Sequence, residues 1–238
     1  MKSWLRTWLL FVALGYPAGF LILLVHEAIG HGVVAELLGG RFLSLYLSPA
    51  VGWADFFAPS GARSLAALGT AAPLAALVGL AIWTRTRRSQ DLLPRVAGWY
   101  FGLAGVSNLA YWGLFPWLLA RRGSLRGDWA EVWQAWGVRP LFPALLSLLP
   151  LAIVSALLLV DARRLVDRLH PAFDRGVSGP FALLATAGAV PKVGYILAYW
   201  PWWRTLDQSL LGGLLVLPVG VWIGGLIGLP IARWRGWD

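Results

Sequence analysis

His26-Glu27-Ala28-Ile29-Gly30-His31 lies near the end of an apolar run that extends over about residues 5–38. Two of the chain's three histidines fall in this stretch, next to a carboxylate. An ionisable side chain near the centre of a membrane helix costs at least ~2.5 kcal/mol, so a cluster of them needs a compensating partner. A shared metal ion is the simplest such partner.

The run itself is about 34 residues, on the order of 50 Å as one helix, against ~30 Å of bilayer hydrocarbon. It must therefore tilt, kink or break. Gly15, Pro17 and Gly19 mark the expected kink and Gly39-Gly40 the expected stop. Further apolar spans are expected near 64–83, 94–119, 141–160, 180–200 and 206–231. None alternates in polarity as the strands of a membrane barrel would.

Between the first two spans, Leu43, Leu45 and Leu47 alternate with Ser44, Tyr46 and Ser48, and Pro49, Gly52, Pro59 and Gly61 follow. This is the pattern of a strand and an irregular loop. Such backbone cannot face lipid, so it packs on helices, lines a wet cavity or lies at the interface. Residues 129–136 predict a short amphipathic helix.

The fold class that follows is an all-α polytopic membrane protein with about six transmembrane helices and a short strand-containing loop after the first. Residues 1–238 form a single integral-membrane domain. Within it, 1–136 hold a metal-site core of three spans and the amphipathic helix, and 137–238 hold three further spans.

Composition agrees: of 238 residues, 58% are hydrophobic and only 13% charged, and 16 Trp are present, which excludes an ordinary soluble domain. The formal charge of +9 sits in short clusters between spans, such as Arg85, Arg87 and Arg88, which reads as membrane anchoring and not as a nucleic-acid surface. Trp200, Trp202 and Trp203 read as interfacial anchors. The opening Met1-Lys2-Ser3-Trp4-Leu5-Arg6 resembles the first regions of a signal peptide. Without an evident processing site before the His-Glu cluster, it is expected to stay as a span. The bias of basic residues modestly favours a cytoplasmic N-terminus.

The chain has no cysteine, so a zinc ion must be held by His, Asp or Glu. A zinc hydrolase needs two or three such ligands, an open position for water and a carboxylate to take the water's proton. Glu27 is the acid adjacent to the first histidine. His26 and His31 are five residues apart, ~140° around an ideal α-helix, too far round for both to grip one ion. One extra residue per turn is what a π-bulge accommodates, and Gly30 and Gly32 lower the cost of distortion. The spacing thus demands a bulge or kink near Gly30.

These six residues resemble the His-Glu-x-x-Gly-His signature of dipeptidyl peptidase III, whose two histidines bind zinc and whose glutamate is the base. A broader likeness, over about residues 20–130, is to the site-2 protease family of intramembrane zinc metalloproteases. It rests on His26, Glu27 and His31 in an early span, the strand-like 41–48, Ala71-Ala72-Pro73-Leu74-Ala75-Ala76 opening the next span, and Asn108 and Gly127-Asp128 beyond. The chain departs in the extra residue between the histidines, in Ala72 and Ala76 where that family tends to have Gly and Asn, and in the context of Asp128. The resemblance implies Zn²⁺ held by His26, His31 and Asp128, Glu27 as catalytic base, and a membrane peptide or protein as substrate. It also suggests access from near the cytoplasmic face, whereas the charge bias places the end of the first span outside. Topology permits the third ligand: two crossings separate His31 from Asp128, which returns the chain to the same membrane face.

Each reading has a structural alternative. Glu27 could pair with a histidine as a buried polar knot, and Asp128 with Glu131 could be a helix capping box. Asn108 could hydrogen-bond a peptide substrate or hold a ligand, or it could simply bridge helices. Glu36, Asp55, Glu131 and His170 compete as the third ligand, although Asp55 reads as solvated and His170 as interfacial, and Lys192 as snorkelling to the surface. The competing class is a non-enzymatic membrane protein, either a transporter with a metal or coupling site or a degenerate peptidase scaffold that binds partners. A transporter should show broken spans in two related halves, and the sequence shows none convincing.

Overall fold

The apolar run of residues 5–38 folds as one helical rod with a change of winding inside it. In the computed structural model, which describes residues 3–47, 52–114, 117, 128–139 and 141–169, α1 (Ser3–Leu24) leads into a π-helix (Val25–Val33) and then α2 (Val34–Leu37). The rod runs on through Pro17, and its departure from α geometry comes at the histidines. Gly39-Gly40 ends it as expected. The Gly39 N–H bonds the Glu36 carbonyl at 2.9 Å and the Gly40 N–H the Ala35 carbonyl at 2.8 Å, with Gly39 at φ +84°. This paired closure satisfies carbonyls that the helix leaves open and favours glycine for its positive φ.

The chain then turns back in a hairpin of β1 (Arg41–Leu47) and β2 (Gly52–Phe57), antiparallel from Arg41↔Phe57 to Leu47↔Gly52, with an irregularity between Phe42 and Ser44. The expected second span is split into α3 (Ala62–Gly69) and α4 (Ala71–Thr86). Pro73 gives the reason: it has no N–H for the Gly69 carbonyl four residues earlier and crowds it, so the helix breaks at Thr70. The Thr70 hydroxyl donates at 3.0 Å to the carbonyls of Gly30 and Ala66, tying the break to the π-helix.

After α5 (Leu92–Trp112) come α6 (Asp128–Ala135), matching the expected amphipathic helix, and α7 (Leu141–Leu169). Among the described residues, three stretches, Thr7–Leu37, Ala62–Thr86 and Leu141–Arg168, are long and apolar enough to cross a membrane. Helix α5, which carries Arg95 and Asn108, lies among α1, α4 and α7. The described part of the protein is thus mostly helical with one small sheet. The spans expected at 180–200 and 206–231 lie outside the described residues, as do His170, Lys192, Trp200, Trp202 and Trp203.

Trp8, Phe11, Trp83, Val96, Trp99, Tyr100, Leu158 and Leu165 form the core near the N-terminal end of α5. There Arg95 and Asp161, both buried, pair at 3.2 Å, and the Trp83 indole N–H donates to Asp161 at 2.8 Å. Burying a charge is tolerable only when it is paired in this way. On α7, Leu145, Leu149, Ile153, Leu157 and Val160 form an exposed apolar stripe in the described structure, unlike the polar outer face of a helix in water.

The π-helix packs directly on α4: a Cβ at Gly30 would fall on the Ala71 backbone. Gly30→Ala is therefore expected to push the two apart and destabilise the protein by about 1–3 kcal/mol, as overpacking does. Thermal unfolding in detergent reads this, and an unchanged midpoint would contradict so close an approach.

Candidate metal centre

A π-helix closes its hydrogen bonds between residues five apart, so positions i and i+5 stack on one face. Here those positions are His26 and His31, whose rings meet edge to face with centroids 5.1 Å apart. The bulge that the spacing demands is present, spread over the nine residues Val25–Val33.

Each ring is held by its Nδ1. His31 Nδ1–H donates to the Ala67 carbonyl at 3.0 Å; this carbonyl lies in the last turn of α3, where helix carbonyls lose their regular partners. His26 Nδ1–H donates to Asn108 Oδ1 at 2.9 Å, and Asn108 Nδ2 donates in turn to the Ala104 carbonyl at 3.0 Å. That second bond fixes which way the Asn108 amide faces.

The two Nε2 atoms then point at one oxygen. Asp128 Oδ2 lies 3.2 Å from His26 Nε2 and 3.1 Å from His31 Nε2. Asp128 heads α6, which packs against α3. Burial pushes the Asp128 carboxyl up, whereas hydrogen bonds from His26 and His31, when both rings carry a proton on Nε2, outweigh burial and hold it well below the usual carboxylate range.

Glu27 is buried beside the pair, and its carboxylate accepts a hydrogen bond from the Ala54 N–H of β2. Two residues along the same strand, Phe56 stacks on the His31 ring at 5.4 Å with planes 13° apart. The strand that touches the site is therefore β2, whereas the sequence pattern pointed to β1. Of the rival ligands, Glu36, Asp55 and Glu131 are exposed, and Asp55 is engaged by the Ser44 hydroxyl at 2.7 Å.

Among the described residues, His26, His31 and Asp128 are a possible metal-binding triad, with donor atoms all within 4.8 Å of one another. The chemistry of the donors fits a cation. With both Nδ1–H groups already given away, neutral imidazoles present bare Nε2 lone pairs to an anionic oxygen. These acceptors repel unless a cation lies between them or each ring takes a second proton. The separations of 3.1 and 3.2 Å are close to the about 3.3 Å between ligand atoms held tetrahedrally at ~2.0–2.1 Å from zinc. Two imidazoles and a carboxylate, with a fourth position left open, is also a donor set that zinc accepts.

Comparisons with known protein families, with curated proteins and with solved structures each return no match. What the sequence missed is what orients the site. Asn108 is legible as a polar residue that could hold a ligand, but nothing in the sequence names His26 as its partner. The Ala67 carbonyl and the Ala54 N–H are backbone groups that carry no sequence signal.

Partners that orient metal-bound histidines typically matter 10–100-fold for affinity. Asn108→Ala is accordingly expected to weaken zinc binding by about 10–100-fold with the fold retained, read by competition with a chromophoric chelator. An unchanged affinity would show that the His26–Asn108 bond does not orient the ligand.

Proposed function

We propose that this protein is a multi-pass membrane zinc metallopeptidase that hydrolyses a peptide bond of a membrane or membrane-associated substrate. The observation that carries the reading is the convergence of His26 Nε2, His31 Nε2 and Asp128 Oδ2, with buried Glu27 next in sequence to the first of them. His26, His31 and Asp128 would hold Zn²⁺. When bound, zinc supplies Lewis acidity toward a water molecule and the scissile carbonyl.

The remaining work falls to the chain. Glu27 accepts the proton of the attacking water on its carboxylate and returns it to the departing amine. The Ala54 N–H holds that carboxylate in place and leaves it other acceptor positions. The two hydrogen bonds at Nδ1 fix the imidazoles in direction and leave Nε2 of each facing Asp128. The hairpin offers extended backbone beside the site, along which an unwound substrate segment can pair. The six spans expected from the sequence would make the protein multi-pass. The reading agrees with the resemblance to site-2 proteases and extends to the same substrate class.

A general base contributes typically 10²–10⁴-fold to rate. Glu27→Gln is thus expected to keep one zinc per chain while cleavage of a reconstituted membrane peptide falls by at least about 100-fold. A Glu27→Gln protein that cleaves at the normal rate removes the base assignment. A wild-type protein that holds stoichiometric zinc yet cleaves no membrane peptide belongs instead to the non-enzymatic class.

A further inference from the structure

The third ligand is the least anchored by sequence, because α6 is a single helix of eight residues. What holds α6 in place is tryptophan. The Trp129 ring lies against Gly69 at the end of α3, where an added Cβ would meet it at 3.5 Å, and Val132 lies alongside at 3.7 Å. Trp133 is buried, and its indole N–H donates at 3.0 Å to the carbonyl of Trp112, the last residue of α5. The rings of Trp112 and Trp136 each pack on both Trp129 and Trp133, whose own ring centroids are 5.0 Å apart. Helix α6 then closes at Gly137, φ +66°, through Gly137 N–H to the Gln134 carbonyl at 3.0 Å and Val138 N–H to the Trp133 carbonyl at 2.9 Å.

The anchor point matters because of what else α5 does. Asn108 and Trp112 are four residues apart, on one face of the helix. One turn of α5 therefore carries both the amide that orients His26 and the carbonyl that fixes α6. The carbonyl is available because the last four of a helix have no partner within it. We infer that Trp133 is the positioning residue for Asp128: its N–H bond to the Trp112 carbonyl sets the reach of the Asp128 carboxylate to the two histidines. The inference rests on the metal reading above. Metal–ligand distances tolerate only about 0.2 Å, so a small slide of α6 would loosen the third ligand while leaving the histidines in place.

Trp133→Phe keeps an aromatic ring in the cluster and removes the N–H. Zinc affinity of the full-length protein in detergent, measured by chelator competition, is expected to fall about 10-fold, in the range seen for orienting partners of metal ligands. Trp136→Phe, at a ring that is 56% exposed, is expected to change nothing. In an Asp128→Ala background the Trp133→Phe effect on affinity is expected to vanish, because the ligand it positions is gone. A loss of the same factor with and without Asp128 would mean general loosening of the fold and would overturn the inference. Should Trp133→Phe fail to fold, the wild type carries the test: zinc is expected to shift tryptophan emission, and Asp128→Ala to abolish the shift. Zinc binding without any emission change overturns the inference as well. A wild type that binds no zinc fails the metal reading itself; one that binds it with the affinity of Trp133→Phe fails this inference alone.

Discussion

The five-residue separation of His26 and His31 is the constraint on which the rest of the site depends. On an α-helix the two rings would point away from each other, and no arrangement of α5 or α6 could bring them to one point. The π-helix over Val25–Val33 removes that obstacle, and its surroundings show how the wider coil is accommodated. Gly30 lets the Ala71 backbone approach, Gly32 lies under the Phe42 ring, and the Thr70 hydroxyl takes up the Gly30 carbonyl. The break at Thr70, caused by Pro73, thus does two things at once. It supplies a hydroxyl to the distorted turn, and it leaves the Ala67 carbonyl for His31.

Each donor of the site is fixed by a different element. His31 is oriented from α3, His26 from α5, Asp128 from α6, and Glu27 from the hairpin. Such a distribution makes the geometry sensitive to how the helices pack. The far end of the bundle is correspondingly well tied, by a dense aromatic core and by the buried Arg95–Asp161 pair with its Trp83 hydrogen bond. Removing one partner of such a pair typically costs 3–5 kcal/mol, since the other charge is left buried alone. Rigidity at that end and precision at the other are linked through α5, which runs between them.

Much of this was legible in the chain. The histidine spacing demands a bulge or kink near Gly30, because 3.6 residues per turn cannot align positions five apart. Gly39-Gly40 announced the helix stop, and the polarity of 129–136 announced α6. Asp128, named from the sequence as a third ligand, does lie beside both histidines. Other features had no signal to read. Strand β2, Gly52-Trp53-Ala54-Asp55-Phe56-Phe57, lacks clean alternation and so carries no strand pattern, although it is the strand that contacts Glu27 and His31. The Ala67 carbonyl and the Ala54 N–H act as backbone groups, so no residue type marks them. Pro17, the expected kink, lies within the continuous α1, whereas the change of winding falls at the histidines.

The most direct measurement is zinc K-edge X-ray absorption on the purified full-length protein and on His31→Ala. The account requires one zinc per chain in a nitrogen and oxygen shell at about 2.0–2.1 Å with scattering from two imidazoles, reduced to one imidazole or to no zinc when His31 is replaced. Protein that carries no zinc, or a zinc whose spectrum is unchanged by loss of His31, would contradict the claim that the π-turn brings both rings to a single ion.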